Sequence, residues 1–158
     1  MKNQTRKNLK AKLEEHKANL KEVLSKLHQQ DAHIMVAAVH GFELDYVNTS
    51  KTLASSQEYY ADAIKEQALV TVYEDLLNPP KENQSLSIKT LIDRKRTILL
   101  KTQEEAVSMA AKVCHLHTQE NNPISPFFDL ERSCMYRTAL KCIEARAEYN
   151  ELLKYEED

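Results

Sequence analysis

A single glycine, Gly41, stands in a chain of 158 residues, where average usage of ~7% supplies roughly eleven. Glycine reaches positive φ without steric cost, so tight hairpins, barrels, sandwiches and phosphate-cradling loops depend on it. A chain this poor in glycine cannot be built mainly from such turns. Long helices joined by a few breaks are what remains.

The apolar pattern agrees. Leu13, Leu20, Leu27 and Ile34 recur every seven residues, and Leu9, Val23, Ala37 and Leu44 fall on the interleaved positions. This spacing is that of a helix seam. His16 and Gln30 interrupt the second column, and Asp31 is placed to cap a new helix after a break near His28 to Gln30. Residues 6–47 therefore read either as one extended helix or as two. Gly41 lies on the leucine column, where a missing side chain permits a bend or a close helix approach.

Thr49 or Ser50 then opens a second helix to Leu77, with Leu53, Tyr60, Ile64, Ala68, Val72 and Leu76 on its apolar face. Asn78-Pro79-Pro80 stops it, because proline lacks the backbone donor and restricts the residue before it. After a short polar connection from Lys81 to Gln84, Ser85 or Ser87 opens a third helix to about His117. Its seam reads Ile88, Ile92, Leu99, Ala106, Met109, Val113 and Leu116, diluted by Lys95 and Thr102. Asn121-Asn122-Pro123 and Ser125-Pro126 form the next breaker. A fourth helix follows from about Phe127 to Tyr155, burying Phe128, Met135, Ala139, Cys142, Ile143, Tyr149 and Leu153. Leu69 to Tyr73 has β-branched character, but helical spacing runs through it and no turn precedes it.

The expected fold is all-α: an elongated bundle of about four long, mostly antiparallel helices, the first extended or broken near residue 30. Residues 1–158 read as a single α-helical domain, with 1–30 a basic amphipathic helix able to project and 31–158 the bundle core. A domain of this size buries roughly 68 to 70% of its unfolded surface, so stability requires no cofactor, and none is expected.

Charge is uneven along the chain. Residues 1–30 hold eight Lys or Arg against Glu14, Glu15 and Glu22, a balance of +5, so the net −2 leaves −7 for the other 128 positions. The end of the chain is acidic, with Glu144, Glu148, Glu151, Glu156, Glu157 and Asp158. A basic first helix and an acidic last helix attract each other, within one molecule or between two, though exposed pairs are worth only ~0 to 1 kcal/mol each.

The start of the chain lacks a secretory apolar region, which reads as a cytoplasmic protein. The longest apolar run, Ile34 to Val39, is six residues, far short of the roughly twenty that cross a bilayer. No membrane partner is expected. Cys114, Cys134 and Cys142 are an odd number, and the last two stand eight apart on one helix, roughly 12 Å at ~1.5 Å per residue. That exceeds the ~7 Å reach of a disulfide. They read as free thiols packed as small hydrophobes.

Chemistry-bearing groups are few. His33 and His40 with Glu43 would share a helix face, and Cys114 and His117 stand three apart, so His33, His40, Cys114 and His117 are the candidate metal ligands. Satisfied helix-face histidines, and cationic histidines at a helix C-terminus, account for the same residues. No Glu-x-x-His motif is present, which counts against di-iron bundle chemistry. Catalytic residues are not expected. Lys10, Lys17 and Lys21 on the first helix, with Arg94 and Arg96 on the third, are candidate phosphate contacts for a small nucleic-acid-binding regulator. Aromatic side chains do not interleave with them.

The best-supported expectation is a non-enzymatic interaction protein: an adaptor, small chaperone, assembly scaffold or inhibitor. Leu9, Leu13, Leu20, Val23 and Leu27 form the expected contact seam, too regular to be left in water on a helix otherwise too polar for a core. Its partner is another protein or a second copy of the chain, with a homodimer as one form.

Overall fold

The structure is a computed structural model that describes residues 3–39, 46–83, 86–119 and 126–156, with side chains at 6–32, 55–81, 83, 86–113 and 133–156. The described residues form four long helices, with no strand among them. They are α1 (Asn3–Val39), α2 (Tyr46–Leu77), α3 (Ile88–Gln119) and α4 (Pro126–Leu153). The chain divides into two compact units, Met1–Pro79 and Pro80–Asp158.

In the first unit α1 packs on α2. At 37 residues α1 is about 55 Å long at ~1.5 Å per residue. It runs through His28, Gln29 and Gln30 without a break, the extended of the two alternatives as far as Val39. These residues, unlike proline or glycine, carry little helix penalty. Asp31 does not cap a new helix there: its Oδ1 accepts the Ser56 hydroxyl of α2 at 2.8 Å. Gly41 lies outside the described residues. The pairs His16–Glu66 and Lys17–Glu74 lie toward one end, and Asp31–Ser56 toward the other, so the helices run antiparallel.

Leu9, Leu13 and Leu27 of α1 are buried, as are Ala63, Ala68, Leu69, Val70, Val72 and Tyr73 of α2. Fully burying a leucine or valine contributes about 1.5 to 3 kcal/mol, so this row is the main source of stability in the unit. Leu69 to Tyr73 is helix despite its β-branched residues, and Thr71 Oγ1 donates to the Gln67 carbonyl at 3.0 Å. Tyr60, expected on the buried face, is 47% exposed. Ala68 and Val72 of the expected column are buried and Ile64 and Leu76 half-buried, and the covered face extends beyond that column to Tyr73 and the half-buried Glu66.

The α2 helix begins at Tyr46, ahead of Thr49 and Ser50, and closes where the Asn78 amide donates to the Glu74 carbonyl at 2.8 Å. A 3-10 turn over Lys81–Asn83 follows the two prolines, held by the Asn83 amide on the Pro80 carbonyl at 2.8 Å. Ser87 then caps α3: its Oγ accepts the Thr90 amide at 3.2 Å, satisfying one of the free donors of the first turn.

In the second unit α3 packs on α4. Ile92 and Leu99 are buried, and Ile88, Ala106, Met109 and Val113 are half-buried, which is the expected seam. From α4 the buried residues are Ala145, Glu148, Glu151 and Leu152. Ala139 and Ile143, expected inside, are exposed. Ile143 lies two residues from Ala145, roughly 200° around the helix, and so faces the opposite way. The buried face holds carboxylates that a purely apolar reading skips, as it skips the half-buried Glu66 in α2. The helix ends with hydrogen bonds donated by the Lys154, Tyr155 and Glu156 amides to the carbonyls three residues earlier, a tightened last turn.

Candidate functional site

The expected contact seam divides in two. Leu9, Leu13 and Leu27 are covered within their own unit and are core residues, not free surface. Leu20 and Val23 are half-buried. Leu20 also lines a shallow open trough of about 660 Å³ along the flank of α1, together with Lys17, Lys21, Leu24, Ser25, His28, Gln29 and Ala32. The floor is mostly apolar, supplied by Leu20, Leu24 and Ala32 and by the aliphatic stems of the lysines.

Helical geometry explains how one helix makes both surfaces. Leu13, Leu20 and Leu27 share a column, and Leu24 follows Leu20 by one turn, shifted about 40° outward. Leu24 is therefore half-covered at the rim of the seam. Seam counting missed it, although a leucine four residues after Leu20 and seven after Lys17 was a readable sign of a second, outward apolar position.

Beside the trough the seam is closed by polar contacts. His16 Nδ1–H donates to Glu66 Oε2 at 2.8 Å, and the imidazole stacks on the fully buried Tyr73 ring with centroids 5.4 Å apart. Lys17 Nζ reaches Glu74 Oε1 at 2.9 Å, and this hydrogen bond raises the lysine above its ordinary pKa of 10.5. Lys26 bonds Glu22 at 2.6 Å, which lowers the carboxyl and raises the ammonium.

The candidate phosphate contacts do not form one free cationic stripe. Lys10 and Lys21 are exposed on α1, but Lys17 is held by Glu74. Arg94 and Arg96 are exposed on α3, and Arg94 bonds Asn83 Oδ1 at 3.3 Å. Two carboxylates of the acidic end are likewise engaged: Glu148 pairs with Lys95 of α3 at 2.8 Å, and Glu151 with Lys154 at 2.6 Å.

The side chains of His33, His40, Cys114 and His117 lie outside the described residues. Among the described residues no group of three or more His, Cys, Asp or Glu is placed to hold a metal ion. Cys134 and Cys142 are free and half-buried. Among the described residues no helix is long and apolar enough to cross a membrane.

A second depression of about 480 Å³ is lined by Glu104, Glu105, Ser108, Met109, Lys112 and Thr138. It is ringed by charged and hydroxyl side chains and holds no leucine, with Met109 its one large apolar residue. Leu100 and Val107 of α3 and Tyr136 and Ile143 of α4 are exposed but line neither depression. Among these surfaces the α1 trough joins two half-buried leucines, Leu20 and Leu24, in one open strip. No family model matches the chain, and neither a curated protein nor a solved structure matches it.

Proposed function

We propose that the chain is a non-enzymatic protein-interaction module, of the adaptor, small chaperone, scaffold or inhibitor class, that docks its partner along the open flank of α1. The observation that carries this reading is the half-covered state of Leu20 and Leu24 in a mostly apolar trough, beside the buried Leu13 and Leu27. A partner helix laid there removes the remaining leucine surface from water, the general helix-in-groove mode of recognition. The half-buried free thiols Cys134 and Cys142 suit a reducing, cytoplasmic setting for this role.

The test compares the parent chain with L20D/L24D in two measurements: the mass in solution over a range of concentrations, and the recovery of partner from the source cell after nuclease treatment. Loss of a self-associated form, or of a specific partner, in the variant is the expected result. Both substituted side chains reach solvent, so helical content read by circular dichroism should persist. Identical mass and identical recovery would overturn the reading. Recovery that nuclease abolishes equally in both proteins would shift the function to nucleic acid.

A further inference from the structure

We propose that the occupant of the α1 trough is an acidic amphipathic helix of another protein, its apolar row seated on Leu20 and Leu24 and its carboxylates facing Lys10, Lys17 and Lys21. This rests on the docking role proposed above and names the chemistry of the partner.

Charge complementarity beside an apolar strip selects this occupant. With about 100° per residue, Lys10, Lys17, Lys21 and His28 fall within a ~40° arc of α1, immediately next to Leu20 and Leu24. Lys17, Lys21 and His28 line the trough itself, and no carboxylate does. Glu14 lies on the same flank, and Glu74 holds Lys17, so the row is reduced but still cationic. A helix entering the trough meets leucine in the middle and ammonium groups along one rim. Apolar residues opposite the leucines and Glu or Asp opposite the lysines satisfy both.

Two other occupants fit less well. A phosphate backbone matches the lysines but gains nothing from the leucine floor. Among the described residues the acidic end of a second copy exposes Glu144 and Glu156, which stand twelve residues apart and form no row, while its Glu148 and Glu151 carboxylates are buried and bonded to Lys95 and Lys154. Removing them from those partners would leave buried charge uncompensated.

The experiment uses a displayed library of amphipathic peptides of about 20 residues, long enough for a ~30 Å helix along the trough. Each has leucine at helical spacing and random Glu or Lys at the flanking positions. The library is selected on the intact chain and counter-screened on L20D/L24D. The expected result is a set of binders that the counter-screen rejects, enriched in Glu at the flanks. Their affinity should fall by roughly tenfold or more on K10E/K21E, a change of about 1.4 kcal/mol or more. The fall should shrink at high salt. Trough-dependent binders with no Glu enrichment, or with Lys enrichment, would overturn the acidic partner and leave the docking role standing. Absence of trough-dependent binders would overturn both. Lys10 and Lys21 are exposed, so the charge-reversed chain keeps its fold and reads the rim alone.

Discussion

His16 and Glu66 join the first two helices through a hydrogen bond of 2.8 Å, with the imidazole lying flat against the Tyr73 ring at an interplanar angle of 15°. The histidine occupies a position where the leucine pattern leads one to expect an apolar residue. It is tolerated because the carboxylate satisfies its donor and the tyrosine covers its face. Replacing Glu66 by Leu removes that acceptor while His16 stays largely covered. The expected loss is about 1 to 3 kcal/mol, measured by urea denaturation. Replacing both His16 and Glu66 by Leu should recover most of it, since no polar group is then stranded.

Lys95 and Glu148 play the corresponding part between α3 and α4, with the carboxylate nearly enclosed and the lysine partly open to water. Removal of the cation strands the more deeply buried member. Lys95→Met is expected to cost about 1 to 3 kcal/mol, and Lys95→Met with Glu148→Met to come close to neutral. A double-mutant cycle from denaturation midpoints measures the coupling. Additive single losses would show that the pair contributes no coupling.

The cap at Ser87 has a local readout. Ser87→Ala should cost about 1 kcal/mol and speed hydrogen exchange at the Thr90 amide, while Ser87→Asp keeps the cap. Unchanged exchange at Thr90 in the alanine variant would remove the assigned role.

The pH dependence of the first unit follows from three exposed groups. Glu22 lies below its ordinary value of 4.5 because Lys26 donates to it, so its stabilising contribution is present above 4.5 and is lost as pH falls through the lowered value. Lys17 and Lys26 lie above 10.5 because of Glu74 and Glu22, so their contributions are present below 10.5 and are lost as pH rises through the raised values. Thermal unfolding followed across pH should therefore show these pairs only at its acid and alkaline limbs. Lys17→Met with Lys26→Met should flatten the alkaline limb. The effect is small and fades with salt, because every partner is in water.

The helix count, the breakers at Pro79-Pro80 and near Pro126, and the Ile92–Leu99 seam were legible in the sequence because each depends on short-range chemistry. The faces of α2 and α4 were legible in part: Ala68 and Val72 are buried, and Met135, Cys142, Tyr149 and Leu153 half-buried, as the spacing predicts. Apolar columns placed Tyr60, Ala139 and Ile143 inside, whereas the real faces include Glu66 and Glu148 and so read as polar. Glu66 and Glu148 are covered there because an imidazole or a cation on the facing helix reaches each carboxylate. That is a tertiary fact which spacing within one helix does not contain. The same limit applies to the site: Leu9, Leu13 and Leu27 looked exposed until α2 was laid against them, and Leu24 stood outside the counted columns.

The claim on which the account rests is tested most directly by placing a photo-reactive side chain at Leu24 and, in a separate protein, at the exposed Glu58 of α2, then illuminating each in the source cell. Docking along α1 predicts a discrete cross-linked species from position 24 that is absent from position 58 and disappears when Leu20→Asp is added. Equal yields from the two positions, or no adduct from position 24, would contradict it.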